Sequence, residues 1–132
     1  MKITADTNVL VRAITEDDAR QSRQAQAELV NAESVALTLP ALCELVWVLS
    51  RGYKVPSVEI AEALRRLING ANVAVSRPAV EAGLAMLEGG GDFADGVIAY
   101  EGNWLGGEAF VSFDRNAVEL LTARGQKARL PA

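Results

Sequence analysis

Met1-Lys2-Ile3-Thr4-Ala5-Asp6-Thr7-Asn8-Val9-Leu10-Val11-Arg12 opens the chain and decides its fold. The stretch reads as a short apolar strand that closes on a carboxylate and turns at once into a helix, because Val9, Leu10, Ala13 and Ile14 recur at helical spacing. In sheets built from such strand-to-helix units, ligands bind beyond the carboxyl ends of the strands. Asp6 is therefore delivered to a rim.

The same alternation continues outward from this stretch. Glu16-Asp17-Asp18 ends the first helix and opens a second, about Asp18 to Ala32, which is polar on most faces and packs through Ala25, Leu29 and Val30. Ser34 to Leu39 is a second strand, and Pro40 suits the first turn of the helix after it because its missing N–H is not needed there. That third helix runs to about Gly52 and is apolar nearly all round, with Leu42, Leu45, Val46, Trp47, Val48 and Leu49 and a single acid, Glu44. A helix starting at Ser57 carries an amphipathic stripe that Asn69-Gly70 stops, and Asn72 to Val75 is a third strand. Pro78 to Glu88 forms a helix that runs out into Gly89-Gly90-Gly91, expected to be the most flexible point of the chain. Asp92 then opens a helix to about Trp104, with Phe93, Val97, Ile98 and Leu105 toward the core. Ala109 to Phe113 is a strand closing, like the first, on an acid, Asp114; a helix from Asn116 to Arg124 and a weak edge strand over Lys127 to Leu130 follow.

Strands alternating with helices, with connections too long for hairpins, predict an α/β protein with a mostly parallel sheet covered on both faces. A length of 132 residues, half of them apolar, predicts one globular domain over 1–132. No stretch approaches the roughly 20 apolar residues of a membrane span, and no basic segment leads into a long apolar run, so a cytoplasmic location without membrane contact is expected. The lone Cys43 has no partner for an internal disulfide and reads as core filling.

The chain has no histidine, which removes Ser-His-Asp triads, Cys-His dyads, histidine acid-base cleavage of RNA and His-ligated zinc. Carboxylate chemistry remains, and hard oxygen donors suit Mg²⁺ or Mn²⁺. A net charge of −4 argues against a broad basic face for nucleic acid, but not against a local site.

Each acid has an ordinary reading beside the functional one. Asp6, Asp92 and Asp114 all stand where helix N-caps stand, and Asp95 falls in a first turn, where the helix dipole favours it. Glu44 differs: it lies a full turn into an apolar helix, beyond the reach of capping, and a carboxylate buried there needs a cation or a partner. Taken together, acids at two strand ends and near two helix starts point to one edge of the sheet, where they repel unless a cation neutralises them. That inventory serves hydrolysis of a phosphodiester, in which a divalent ion lowers the pKa of water and stabilises the leaving oxygen. Thr7, Asn8, Ser112 and Asn116 beside the acids can hydrogen-bond a ligand or a carboxylate, or can serve the fold alone.

The series Asp6-Thr7-Asn8-Val9-Leu10, Glu44 in Leu-Cys-Glu-Leu-Val-Trp, Asp92-Phe93-Ala94-Asp95-Gly96-Val97-Ile98-Ala99 and Ser112-Phe113-Asp114-Arg115 resembles the PIN-domain ribonucleases, most closely the VapC-type toxins of type II toxin-antitoxin pairs. The likeness runs in order through essentially the whole chain. It implies a three-layer α/β/α sandwich around a mostly parallel sheet and a Mg²⁺- or Mn²⁺-dependent endoribonuclease site. Carried over, the catalytic and metal-binding quartet is Asp6, Glu44, Asp95 and Asp114, with Asp92 auxiliary. Gly96 stands where the family more often has alanine, a departure expected to weaken the helix slightly, and Ser112 replaces the commoner threonine.

The resemblance also implies an RNA substrate, a VapB-like antitoxin whose C-terminal segment lies in a groove, and a homodimer that can join a larger toxin-antitoxin assembly. Arg12, Arg51, Lys54 and Arg115 are the basic residues nearest the motifs in sequence and the candidates for RNA contact. Trp47 reads either as a partner surface or as core. Two rivals compete: a PIN fold kept as a non-catalytic RNA-binding or protein-interaction module, and a phosphoacceptor receiver domain. The second lacks an acceptor Asp after the central strand, where Val75-Ser76 stands, and a lysine after Phe113-Asp114.

Overall fold

The computed structural model describes every residue, Met1–Ala132. The chain divides into two compact units, Met1–Ser76 and Arg77–Ala132, and each carries its own parallel strand pairing.

In the first unit the order is β1 (Lys2–Thr4), α1 (Thr7–Thr15), α2 (Ala19–Asn31), β2 (Ser34–Ala36), α3 (Leu39–Trp47), a π-helical turn over Val48–Gly52, α4 (Ser57–Ile68) and β3 (Val73–Ala74). The strands lie in the order β1-β2-β3, with Ile3 opposite Val35 and Val35 opposite Val73. Parallel neighbours cannot be joined by a tight turn, so two helices intervene between each pair. Leu10, Val35, Leu42, Leu45, Leu49, Ile60, Leu64 and Ile68 are almost wholly removed from water and form the core. Glu16 ends α1 in the left-handed region, at φ 58°, and Asp18 caps α2 by accepting from the Gln21 N–H at 3.0 Å. At the far end of α2, the Asn72 side-chain amide donates to the carbonyls of Leu29 and Ala32 at 2.8 and 3.0 Å. Carbonyls that the last turn leaves unpaired thus gain a donor from the entry to β3.

Two expectations fail here. Val30 is 77% exposed; α2 buries Ala25, as expected, and with it Ser22, while Leu29 is half-buried. The apolar face of α3 is also narrower than its composition suggests: Leu42, Leu45, Val46 and Leu49 are buried, while Glu44 and Trp47 share an exposed stripe. The core reading of Trp47 is excluded by its 62% exposure.

In the second unit the order is α5 (Arg77–Glu88), α6 (Phe93–Trp104), β4 (Phe110–Val111), α7 (Arg115–Ala123) and β5 (Ala128–Arg129). The edge strand expected at the C-terminus exists and pairs parallel with β4, Phe110 facing Ala128. Phe93, fully buried, lies over Gly83, where a Cβ would stand 2.7 Å from its ring. Met86, Ala117 and Leu121 make a second buried cluster beneath Phe110 and Leu120. Ile98 and Leu105, expected inside, are 54% and 88% exposed. The buried face of α6 is set by Phe93, Gly96 and Val97, and Leu105 lies past the end of that helix.

The glycine run is no loose linker. Gly90, at φ 94°, donates to the Leu87 carbonyl at 3.2 Å, and Gly91 donates to Met86 at 2.8 Å, a crossed pair that satisfies the last carbonyls of α5. Gly106-Gly107 and Gly125-Gln126 stop α6 and α7 by the same pairing.

Candidate acidic site

Ala5 N–H bonds to the Ala36 carbonyl at 3.2 Å, which extends the β1–β2 pairing to the residue before Asp6. Asp6 then leaves the sheet in extended conformation and caps α1, its Oδ1 accepting from the Thr7 N–H at 2.9 Å. Glu44 projects from the exposed stripe of α3, and the two acids line one cleft of about 300 Å³ with Thr7, Asn8, Val11, Arg12, Val48 and Tyr53. Glu44 is therefore not the buried carboxylate expected from its apolar surroundings. Its helix buries Leu42, Leu45 and Val46 and turns this residue outward, so no burial penalty demands a partner.

The second unit gathers the other acids. Asp92 caps α6 through Ala94 N–H at 3.1 Å, and Asp114 caps α7 through Ala117 N–H at 3.1 Å. Asp95 lies in the first turn of α6. Burial first, then the charges of Asp92 and Asp114, push the Asp95 carboxyl above its ordinary value. Three acids thus share one electrostatic neighbourhood with no basic group drawing Asp95 down.

Capping and ligand binding are compatible in these residues. Asp6, Asp92 and Asp114 each accept the capping bond on Oδ1, which leaves the second oxygen to another cation or donor. Hard carboxylate oxygens are the donor set that Mg²⁺ or Mn²⁺ takes. No group of three or more His, Cys, Asp or Glu side chains stands in the arrangement of a finished metal centre. The donors fit in kind.

The auxiliary residues separate clearly. Thr7 is buried, its hydroxyl turned to the Ala41 carbonyl at 3.4 Å, and Ser112 Oγ accepts from the Asp114 N–H at 2.9 Å. Asn116 donates to the Gly90 carbonyl at 3.2 Å, tying α7 to the end of α5. These three serve the fold. Asn8 lines the cleft and stays exposed. Of the basic candidates Arg12 lines it, whereas Arg51 and Lys54 lie exposed in and after the π-helical turn and do not. Arg115 is exposed on the first turn of α7. Tyr53 and Asp17 escaped the sequence reading, since the contact that joins them spans 36 positions and leaves no local pattern.

A parallel α/β frame with acids at strand ends and helix starts has the donor inventory for phosphodiester chemistry. The PIN domain family model matches residues 3–120, spanning both units, and the chain belongs to the PIN domain family. No curated protein matches it. Members of the family are generally nucleases that use divalent ions, and no helix of this chain is long and apolar enough to cross a membrane.

Proposed function

We propose that the protein is a Mg²⁺- or Mn²⁺-dependent endoribonuclease, the toxin of a type II toxin-antitoxin pair, and that residues 1–132 work as one cytoplasmic PIN domain. Asp6, Glu44, Asp95 and Asp114 are the residues assigned to divalent-ion binding, whether to one ion or two. The observation that carries the reading is the PIN family match over residues 3–120 together with the placement of Asp6, Asp92, Asp95 and Asp114 at helix starts. Acids concentrated in this way disfavour one another's charge, and a divalent cation relieves that cost.

When bound, the ion supplies a Lewis acid that lowers the pKa of water and stabilises the leaving oxygen. The chain's own residues do the rest. Asp6, Asp92 and Asp114 are pinned by their capping bonds, so their free oxygens are presented from fixed backbone positions. Arg12, Arg51, Lys54 and Arg115 contact the RNA backbone, and so small a basic set suits modest, shape-dependent affinity. The exposed Trp47 supports a protein partner on α3, read as a VapB-like antitoxin or the second copy of a homodimer.

The test is cleavage of a structured RNA by purified protein with Mn²⁺, with EDTA, and by Asp6→Asn and Asp95→Asn variants. Cleavage should require the ion and vanish in both variants. RNA binding without cleavage by the wild type would instead favour a non-catalytic module of the same fold. Growth arrest on brief expression, relieved by a small co-purifying protein, tests the toxin assignment.

A further inference from the structure

The cleft that holds Asp6 and Glu44 has a second feature on its wall. Asp17 accepts from Tyr53 Oη at 2.7 Å and from Arg12 Nη1 at 3.0 Å to one oxygen and 3.2 Å to the other, and Thr15 Oγ1 lies 2.9 Å away, its one proton shared with the Val11 carbonyl. Two of those donors, Arg12 and Tyr53, line the cleft beside the acids. Both bonds from Arg12 leave a single nitrogen, so Nε and Nη2 keep their donors for another anion. Tyr53 spends its hydroxyl on Asp17 and is 37% exposed.

The backbone is specialised to put the ring there. After α3 the helix widens into a π-helical turn, closed by Tyr53 N–H to the Val48 carbonyl at 3.2 Å, and Lys54 follows at φ 57°. Such turns and left-handed non-glycine residues concentrate at functional sites.

We propose that Arg12 and Tyr53, latched together through Asp17, form a nucleotide-binding rim on the Asp6–Glu44 cleft, the guanidinium taking a backbone phosphate and the ring stacking on an unpaired base. The substrate class is single-stranded or looped RNA, because a base within a duplex cannot present its face to a side chain. Asp17 is a positioning residue that acts through its two neighbours. The proposal deepens the nuclease reading and takes RNA as ligand from it.

The experiment measures fluorescence anisotropy of a 5′-labelled 12-nucleotide single-stranded RNA and of a fully paired RNA duplex, with Ca²⁺ in place of Mg²⁺ so that binding is read without turnover. Tyr53→Leu should weaken single-strand binding about tenfold and leave duplex binding unchanged, since stacking acts only on the open strand. Tyr53→Phe keeps the ring and should stay within threefold of wild type. Arg12→Gln should weaken both ligands and reduce the slope of log affinity against log salt by about 0.7 on the single strand. Asp17→Asn should shift the single-strand preference and the salt slope in the same directions by less, with a small fall in melting temperature at neutral pH. Wild-type single-strand preference in Tyr53→Leu, or an unchanged salt slope in Arg12→Gln, overturns the rim. Tyr53-dependent binding by a protein that never cleaves RNA would refute the nuclease reading and leave the rim standing; Asp6-dependent cleavage that is indifferent to Tyr53 would do the reverse.

Discussion

Gly96 and Gly83 meet backbone to backbone: a Cβ built on Gly96 would stand 2.8 Å from the Gly83 Cα and would overlap the carbonyl oxygen of Ala82. Helices α5 and α6 touch at this point with nothing between them. The glycine that departs from the family's commoner alanine is thus the residue that lets the helix bearing Asp95 pack closely, and its cost in helix propensity is offset by contact.

Gly96→Ala should destabilise the protein by about 2 kcal/mol or more, because the obstructing atoms are backbone and only separation of the two helices can admit the methyl. Urea denaturation measures the loss. A neutral or stabilising result would mean that the helices slide apart freely. Introducing alanine at half-buried Gly102, where an added Cβ would meet nothing within 4 Å, should instead stabilise α6 by up to about 1 kcal/mol.

Asn72→Ala removes a side-chain donor from the carbonyls of Leu29 and Ala32. A loss of about 1–2 kcal/mol is expected, the cost of part-buried acceptors left unpaired. Hydrogen exchange should show faster opening at the C-terminal turn of α2, with α5 and α6 unchanged.

Stability should depend on pH through two carboxyls of opposite sign. Asp95 has its folded value raised above 3.8 by burial and by Asp92 and Asp114, so the folded state takes up the proton first and stability rises as pH falls from neutral toward 3.8. Asp17 has its value lowered below 3.8, by the hydrogen bonds from Tyr53 and Thr15 before the contribution of Arg12. Its contribution is complete above 3.8 and is lost as pH falls below that through the folded value. Thermal melts across the acid range, in the absence of metal, should show the rise abolished in Asp95→Asn and the later fall reduced in Asp17→Asn.

Mn²⁺ should raise the melting temperature of the wild type. At ten times its dissociation constant the gain is about 1.4 kcal/mol, or roughly 5 °C for a chain of this size. A double Asp95→Asn, Asp114→Asn variant should lose most of that shift. An equal shift in both proteins would place the ion elsewhere.

Much of this architecture is legible in one dimension. Hydrophobic spacing and helix stops locate every helix and each parallel strand, and acids that follow strands or open helices stand out because few residue types begin a helix well. Orientation around a helix axis is less legible. Glu44 in its apolar setting reads as buried, and Val30, Ile98 and Leu105 read as core, yet all four are exposed. Composition records how apolar a segment is and not which side its neighbours cover.

The amino-acid order by itself determined the α/β class, the PIN-like acidic motifs and the exclusion of histidine chemistry, since each depends on residue type and short spacing. Only the tertiary structure decided that Asp17 joins Arg12 to Tyr53, that Asp92 and Asp114 raise Asp95, and that Gly96 is a contact rather than a weakness. Each of those relationships includes a partner distant along the chain, Tyr53 from Asp17, Asp114 from Asp95 and Gly83 from Gly96, and folding alone brings those within reach.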